Sequence, residues 1–448
     1  MHENFKEATF LSVDAGMDMH MHGPHFLENV VELVKEGRLS MDRVNTACEK
    51  ILTAKFNLGL FENSMVDLDE IDSKVFTPQH TELALEVAQK SITLLKNNGI
   101  LPLSKSMPKK ILVTGPNSNN STILGDWHMP QPEENITTVY EGIKNLAEPL
   151  GFEVSYFDSG QNLRRIKKTR IDEAAKLSKE ADLVILVVGE NSLRYKWSQK
   201  TAGENMARAD LRLPGKQLDL VKAVYQAGTP VVVVLVNGRP ISEPWLQNNI
   251  PAIVEAWEPG SFGGQAVAEV LFGDVNPSGK LPLTVARSVG QLQMIYNHKP
   301  SHYFHKYAFE KNMPLYPFGF GLSYTQFEIS EPTLSSSKIN DSETITLSTV
   351  VSNTGSYKGE EIVQLYIRDR VSSVTRPVKE LKGYQRVSLN PGASQKLEFD
   401  ITPEMLAFYD IEMNYVVESG MFDIMVGNSS ADKDLKKVSM EVVNQINF

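Results

Sequence analysis

The sequence predicts a multidomain protein, α/β followed by all-β, and three observations carry that expectation. Between residue 110 and about residue 285, apolar runs that read as buried strands alternate with amphipathic helical patterns. Beyond Phe327 the pattern changes to short alternating runs punctuated by turn residues. At 448 residues the chain is too long for one ordinary domain, and length alone suggests about three.

Taken in order, residues 26–61 carry two helical patterns separated by Gly37, with Ser40 placed to cap the second and Gly59 close to its end. Phe26, Val30, Leu33 and Val34, then Val44, Cys48, Ile51, Leu52 and Phe56, form apolar stripes. Such stripes need a large surface to pack on, so Cys48 reads as a packed core residue rather than a nucleophile.

The strand-like runs that follow are Ile111–Thr114, Val154–Tyr156, Leu183–Val188, Val231–Val236 and Ile253–Val254. Near-continuous apolar character predicts a mostly parallel sheet buried on both faces. Helical patterns around Ile171–Leu177, Lys216–Tyr225 and Gln265–Leu271 supply the crossovers, and Ser288–Pro317 reads as an extended linker. The runs Thr344–Val351 and Ile362–Ile367, with turns at Asn353-Thr-Gly355 and Asn390-Pro-Gly392, predict an all-β sandwich of about 120 residues.

Composition narrows the function classes. Hydrophobic content of 41% and charged content of 22% fit a soluble globular protein, and no apolar run approaches a membrane span. The net charge of -10 argues against an electrostatic grip on nucleic acid and suits a neutral substrate. One cysteine excludes an intrachain disulfide and a cysteine-rich metal site. The start, Met1-His-Glu-Asn-Phe-Lys-Glu7, lacks the charged-then-apolar pattern of a secretory signal, so the compartment stays open.

Several separated stretches together resemble the C-terminal two thirds of a glycoside hydrolase family 3 β-glucosidase. Ala15-Gly-Met-Asp-Met-His-Met21 and Lys50–Glu62 are similar to the last strand and helices of that family's (β/α)8-type barrel. Ser91–Leu103 resembles the lead into its α/β sandwich domain, to which Val236-Asn-Gly-Arg-Pro240, Ala256–Gly264 and Gly273–Pro282 are also similar. Leu315–Tyr324 precedes a region similar to the fibronectin type III-like domain. The resemblance implies a barrel remnant at 1–62, a linker at 63–105, an α/β sandwich domain at 106–290, a linker at 291–325 and a fibronectin type III-like domain at 326–448.

The same resemblance implies retaining hydrolysis of a terminal β-linked glucose or related sugar, with no cofactor. That chemistry needs two carboxyl groups about 5–5.5 Å apart, one attacking the anomeric carbon and the other protonating the leaving oxygen and later activating water. Glu204, in Thr201-Ala-Gly-Glu-Asn-Met-Ala-Arg208, matches the family's acid/base. The nucleophile belongs to a Ser-Asp-Trp-like tripeptide expected upstream of Ala15, so the chain alone is expected to be weakly active or inactive. Gly125-Asp126-Trp127 imitates that tripeptide, but its surroundings match a segment near the start of the sandwich domain, and Asp126 reads as a loop or structural residue. Asp14 and Asp18 are likewise set aside as nucleophiles.

Glu190 competes with Glu204 and reads better as shaping the turn after its strand. Trp197 is a candidate wall for the leaving group, because an aromatic face stacks on the apolar face of a sugar. Arg208 is expected to contact substrate, to orient Glu204, or to pair with Asp210. His20, His22 and His25 lack a carboxylate framework for a metal, and Gly260-Ser-Phe-Gly-Gly264 lacks the Lys-Ser/Thr of a phosphate loop. A non-catalytic carbohydrate-binding or scaffold protein is the competing class. The expected partners are a β-glucoside or oligosaccharide, a second copy of the chain, or a separate polypeptide supplying the rest of the barrel.

Overall fold

The computed structural model describes residues 2–106, 109–300, 306–340 and 343–448, and the chain divides into two compact units, Met1–Pro78 and Gln79–Phe448.

The first unit is helical, with α1 (Phe5–Asp14), α2 (Phe26–Lys35), α3 (Met41–Asn57) and the short α4 (Ile71–Lys74). Ser40 caps α3 as expected, accepting from the Arg43 amide at 3.1 Å. A small core gathers Val13, Leu33 and Leu39. Residues 15–21, expected as a strand, form none, because a strand needs a neighbour for its backbone groups and the described residues of this unit contain no other. Asp18 is instead held by Arg43 at 2.8 Å and Lys50 at 2.9 Å, while Asp14 ends α1 on the exposed surface. His20 stacks on Phe26. The expectation that Cys48 packs in a core is corrected: it is exposed, and no residue of α3 is buried.

The second unit opens with α5 (Pro78–Ser91), followed by β1 (Thr93–Asn97), β2 (Lys110–Thr114), α6 (Val139–Ala147), β3 (Glu153–Phe157), α7 (Lys168–Ser178), β4 (Leu183–Gly189), α8 (Gln217–Gln226), β5 (Val231–Val236), α9 (Pro244–Asn249), β6 (Ala252–Trp257) and α10 (Gly263–Phe272). The strands form one sheet in the order β1-β6-β5-β4-β2-β3, parallel except for β1, which runs antiparallel along β6. Every residue of β4 and β5 is buried, since helices cover both faces. Ile185 and Val187 pack with α6 and α10 on one side, and Val184, Leu186 and Val188 pack with α7 and α8 on the other. Each such aliphatic side chain contributes roughly 1.5–3 kcal/mol by leaving water.

Close helix contact completes one layer: a Cβ on Gly142 of α6 would lie 2.0 Å from the Gly264 carbonyl of α10, so only glycine fits. No helix among the described residues is long and apolar enough to cross a membrane.

Two stretches read as linkers take part in the packing. Within 63–105, β1 closes the sheet edge, with Leu94 and Leu95 buried on opposite faces; the run is too short to stand out before a partner strand is known. Within 291–325, Leu315 and Tyr316 enter the α/β core, and the Tyr324 hydroxyl donates to the Val270 carbonyl at 2.8 Å. Residues 301–305 of that stretch lie outside the described residues.

The C-terminal region is a β-sandwich. One sheet pairs Ile345–Asn353 with Ser394–Ile401 and Phe327–Ile329, and the other carries Gly359–Asp369 between Glu380–Leu389 and Gly420–Gly427. Alternation sends Leu347, Val351, Leu365, Ile367, Phe422 and Ile424 into one shared core. Gln364 Nε2 donates to the Gly319 carbonyl at 3.1 Å, which ties the sandwich to the segment leading into it.

Candidate active site

Parallel sheets present ligand-binding loops at the C-terminal ends of their strands, above all where strand order reverses. Here the chain passes from β2 outward to β3 and then back to β4, so the switch point lies between β2 and β4. The loops after β2, β4, β5 and β6 hold the charged groups of interest.

Glu190 follows β4 directly and is 1% exposed. Arg208 Nη1 lies 2.9 Å from one carboxylate oxygen and Arg239 Nε 3.0 Å from the other. Burial pushes the Glu190 carboxyl up, while the Arg208 hydrogen bond and both guanidinium charges oppose it. Arg208 also donates to the Arg212 carbonyl at 2.6 Å, and Arg239 to the Met206 carbonyl at 2.8 Å. The group is a closed knot that shapes the return of the loop.

Glu204 sits on the same loop in the opposite situation. Its side chain is 43% exposed, and Arg194 Nη1 is 3.8 Å from Oε2. Its backbone is firmly held: the amide donates to Asp126 Oδ2 at 2.7 Å, and its carbonyl accepts from Lys200 Nζ at 3.2 Å. Asp126 and Lys200 form an ion pair at 2.5 Å, with exposures of 8% and 0%. Burial pushes the Asp126 carboxyl up, but Lys200, the Glu204 amide and Arg194 together hold it below its ordinary value. Gly203 makes the approach possible, because at φ +87° a Cβ would come within 2.4 Å of Asp126 Cγ.

Aromatic groups surround this anchor. The Arg194 guanidinium lies 3.8 Å from the Trp127 ring centre and Lys200 Nζ 4.4 Å from that of Trp197, with Trp127 74% and Trp197 49% exposed. The Tyr195 hydroxyl donates to the His128 carbonyl at 2.9 Å, stitching the loop after β2 to the loop after β4. At the end of β6, Glu258 accepts from Ser192 Oγ at 2.7 Å. Burial raises its carboxyl, and the nearby Asp126 charge adds to that rise.

The structure therefore brings together Glu204, Asp126 and Arg194, with Trp197 alongside through Lys200. Two expectations for Arg208 are corrected: it pairs with neither Glu204 nor Asp210. Glu190 captures it, while Asp210 pairs with Arg212 at 2.6 Å. Arg208 does line a hollow of about 320 Å³ with Leu163, Arg164, Thr201 and Met206, in which Glu204 takes no part. Sequence reasoning missed Lys200 and Glu258. A lone lysine or glutamate in a polar loop resembles any solvated charge until its partner, here far away in the chain, is known.

Known proteins share this order of domains. Residues 92–324 match the family described as the glycosyl hydrolase family 3 C-terminal domain, and residues 361–430 match a fibronectin type III-like domain. A β-xylosidase of Formosa agariphila is 39% identical, covering 98% of this chain and 62% of its own length. A periplasmic β-glucosidase of Salmonella typhimurium is 36% identical, covering 95% and 59% respectively. The solved structure of a β-glucosidase from Erythrobacter marinus superposes with a TM-score of 0.88 at 35% identity, covering 98% of this chain and 60% of that one. A β-glucosidase from Listeria innocua in complex with isofagomine gives 0.88 at 30% identity, covering 99% and 62%. The chain spans about three fifths of the length of these relatives. With the family's C-terminal domain matched over more than half of its residues and a fibronectin type III-like domain following in order, this chain belongs to glycosyl hydrolase family 3.

Proposed function

We propose that this chain delivers the general acid/base, Glu204, of a retaining exo-acting β-glycosidase that releases terminal β-linked glucose or a related sugar such as xylose. One observation carries the reading: the Glu204 carboxyl reaches solvent from a backbone held on both sides by buried charge. A proton donor needs access to its substrate together with a fixed origin. The relatives named β-glucosidase and β-xylosidase support the substrate class.

In this reading Glu204 gives its proton to the glycosidic oxygen as the bond to the anomeric carbon breaks and an aspartate carboxylate takes the oxygen's place there. The Glu204 carboxylate then removes a proton from water as that water displaces the aspartate. The aspartate is assigned to a position outside these 448 residues, and the chain alone is expected to hydrolyse little or nothing. Trp197 is assigned to the wall of the leaving-group site. Arg208 acts on the loop through Glu190 rather than on substrate.

The test is hydrolysis of aryl β-glucosides and β-xylosides by the chain alone and mixed with a barrel-bearing polypeptide. Activity should appear only in the mixture and fall by about 10² to 10⁴ in Glu204→Gln. Full activity of that variant would overturn the assignment. Saturable glycan binding without hydrolysis, indifferent to Glu204, would point to a carbohydrate-binding or scaffold protein.

A further inference from the structure

We propose that Lys200 and Asp126 are positioning residues, and that their buried ion pair fixes Glu204 by gripping both peptide groups that flank its side chain. Its meaning for catalysis rests on the reading of Glu204 as the acid/base; the grip itself does not.

Four observations converge. Lys200 is fully buried, unusual for a lysine unless it is paired. Its ammonium reaches Asp126 at 2.5 Å and the Glu204 carbonyl at 3.2 Å. Asp126 spends its other oxygen on the Glu204 amide at 2.7 Å. Gly203, immediately before, lies so close to the Asp126 carboxyl that a single added carbon would collide with it. The two peptide units around Glu204 are thus bonded to opposite members of one ion pair, and the Trp197 ring covers the ammonium. Removing one member of a buried pair leaves the other uncompensated, so the grip fails as a unit.

The charges facing Asp126 are Lys200 and Arg194 from the loop after β4 and Glu258 from the end of β6. Burial raises the Asp126 carboxyl; Lys200, the Glu204 amide and Arg194 reverse that. Asp126 therefore stays ionised, and its bond to the Glu204 amide persists, until pH falls below the ordinary carboxylate range. Without Lys200, burial is opposed by less, and release moves to higher pH.

The experiment uses the full chain, labelled with ¹⁵N, and follows the Glu204 amide resonance as pH is lowered, since an amide bonded to a carboxylate reports that carboxylate's ionisation. In the wild type the amide should be shifted downfield and lose that shift only at a pH below the ordinary range for an aspartate. In Lys200→Met the change should move up by about one pH unit or more, a tenfold change in the ionisation constant, whereas Lys200→Arg keeps it near the wild-type position. Asp126→Asn should abolish the step and the downfield shift while the amides of β4 and β5 stay in place, which serves if Lys200→Met does not fold. Glu204→Gln should leave the step unchanged, so a failed acid/base assignment and a failed grip give different results. An unchanged step in Lys200→Met, or a Glu204 amide indifferent to Asp126→Asn, would overturn the proposal.

Discussion

Two glutamates on one loop are held by the fold in opposite ways. Glu190 and Glu204 both follow β4, and both lie near arginine. Glu190 is buried between two guanidinium groups, hydrogen-bonded by Arg208 at one oxygen and ion-paired with Arg239 at the other. Glu204 commits its backbone instead and leaves its carboxyl 43% exposed. The difference teaches that a carboxylate's role follows from which of its atoms the protein has already engaged. A side chain enclosed by opposite charge holds structure; a side chain left open above a fixed backbone is available to a substrate.

The sharpest way to break this contrast is to neutralise each glutamate in turn. Glu204→Gln should cost about 10² to 10⁴ in kcat wherever hydrolysis is measurable, yet change stability by less than about 0.5 kcal/mol, as expected for an exposed side chain. Glu190→Ala should do the reverse. It strands Arg208 and Arg239 beside a hole and should destabilise the fold by about 3–5 kcal/mol in denaturant unfolding.

A third carboxylate extends the comparison into the sheet. Glu255 of β6 is buried, accepts from the Trp257 amide at 3.0 Å, and is pushed up to about 8, mainly by that burial. Its folded-state value lies above its unfolded one, so the folded protein holds a proton that the unfolded chain gives up. Its contribution to stability should therefore fall as pH rises from about 4.5 to about 8, by roughly 1.4 kcal/mol per unit. Glu255→Gln should flatten that slope, which unfolding curves at a series of pH values would show.

The smallest expected effect is at Gly203. Gly203→Ala forces a side chain into left-handed backbone against Asp126 and should cost about 1–2 kcal/mol. It should also displace Glu204 without touching the Glu190 knot, visible as faster amide exchange confined to residues 200–206.

Legibility in the sequence followed the range of the physics. Strands β4 and β5 were readable because burial on both faces writes itself as unbroken apolar runs, and Ile345–Asn353 because one-sided burial writes an alternation. The loop that presents Glu204 was readable through its motif. The bond from Asp126 to its amide was not, nor was the burial of Lys200, because an ion pair joining residues 126 and 200 has no period and no local signature. The missing strand at 15–21 and the exposure of Cys48 share one cause. Local patterns state what a segment can pack against, and what is there to receive it is decided elsewhere.

The most direct measurement is the leaving-group dependence of hydrolysis by the chain mixed with a barrel-bearing polypeptide, comparing wild type with Glu204→Gln across aryl β-glycosides of rising phenol pKa. If Glu204 donates the proton, kcat/KM, which reports formation of the glycosyl intermediate, should fall little in the variant for activated aryl glycosides and by steadily more with poorer leaving groups, while kcat falls for all of them because the same carboxylate activates water. A loss in kcat/KM equal for all leaving groups, or no loss at all, would contradict the assignment.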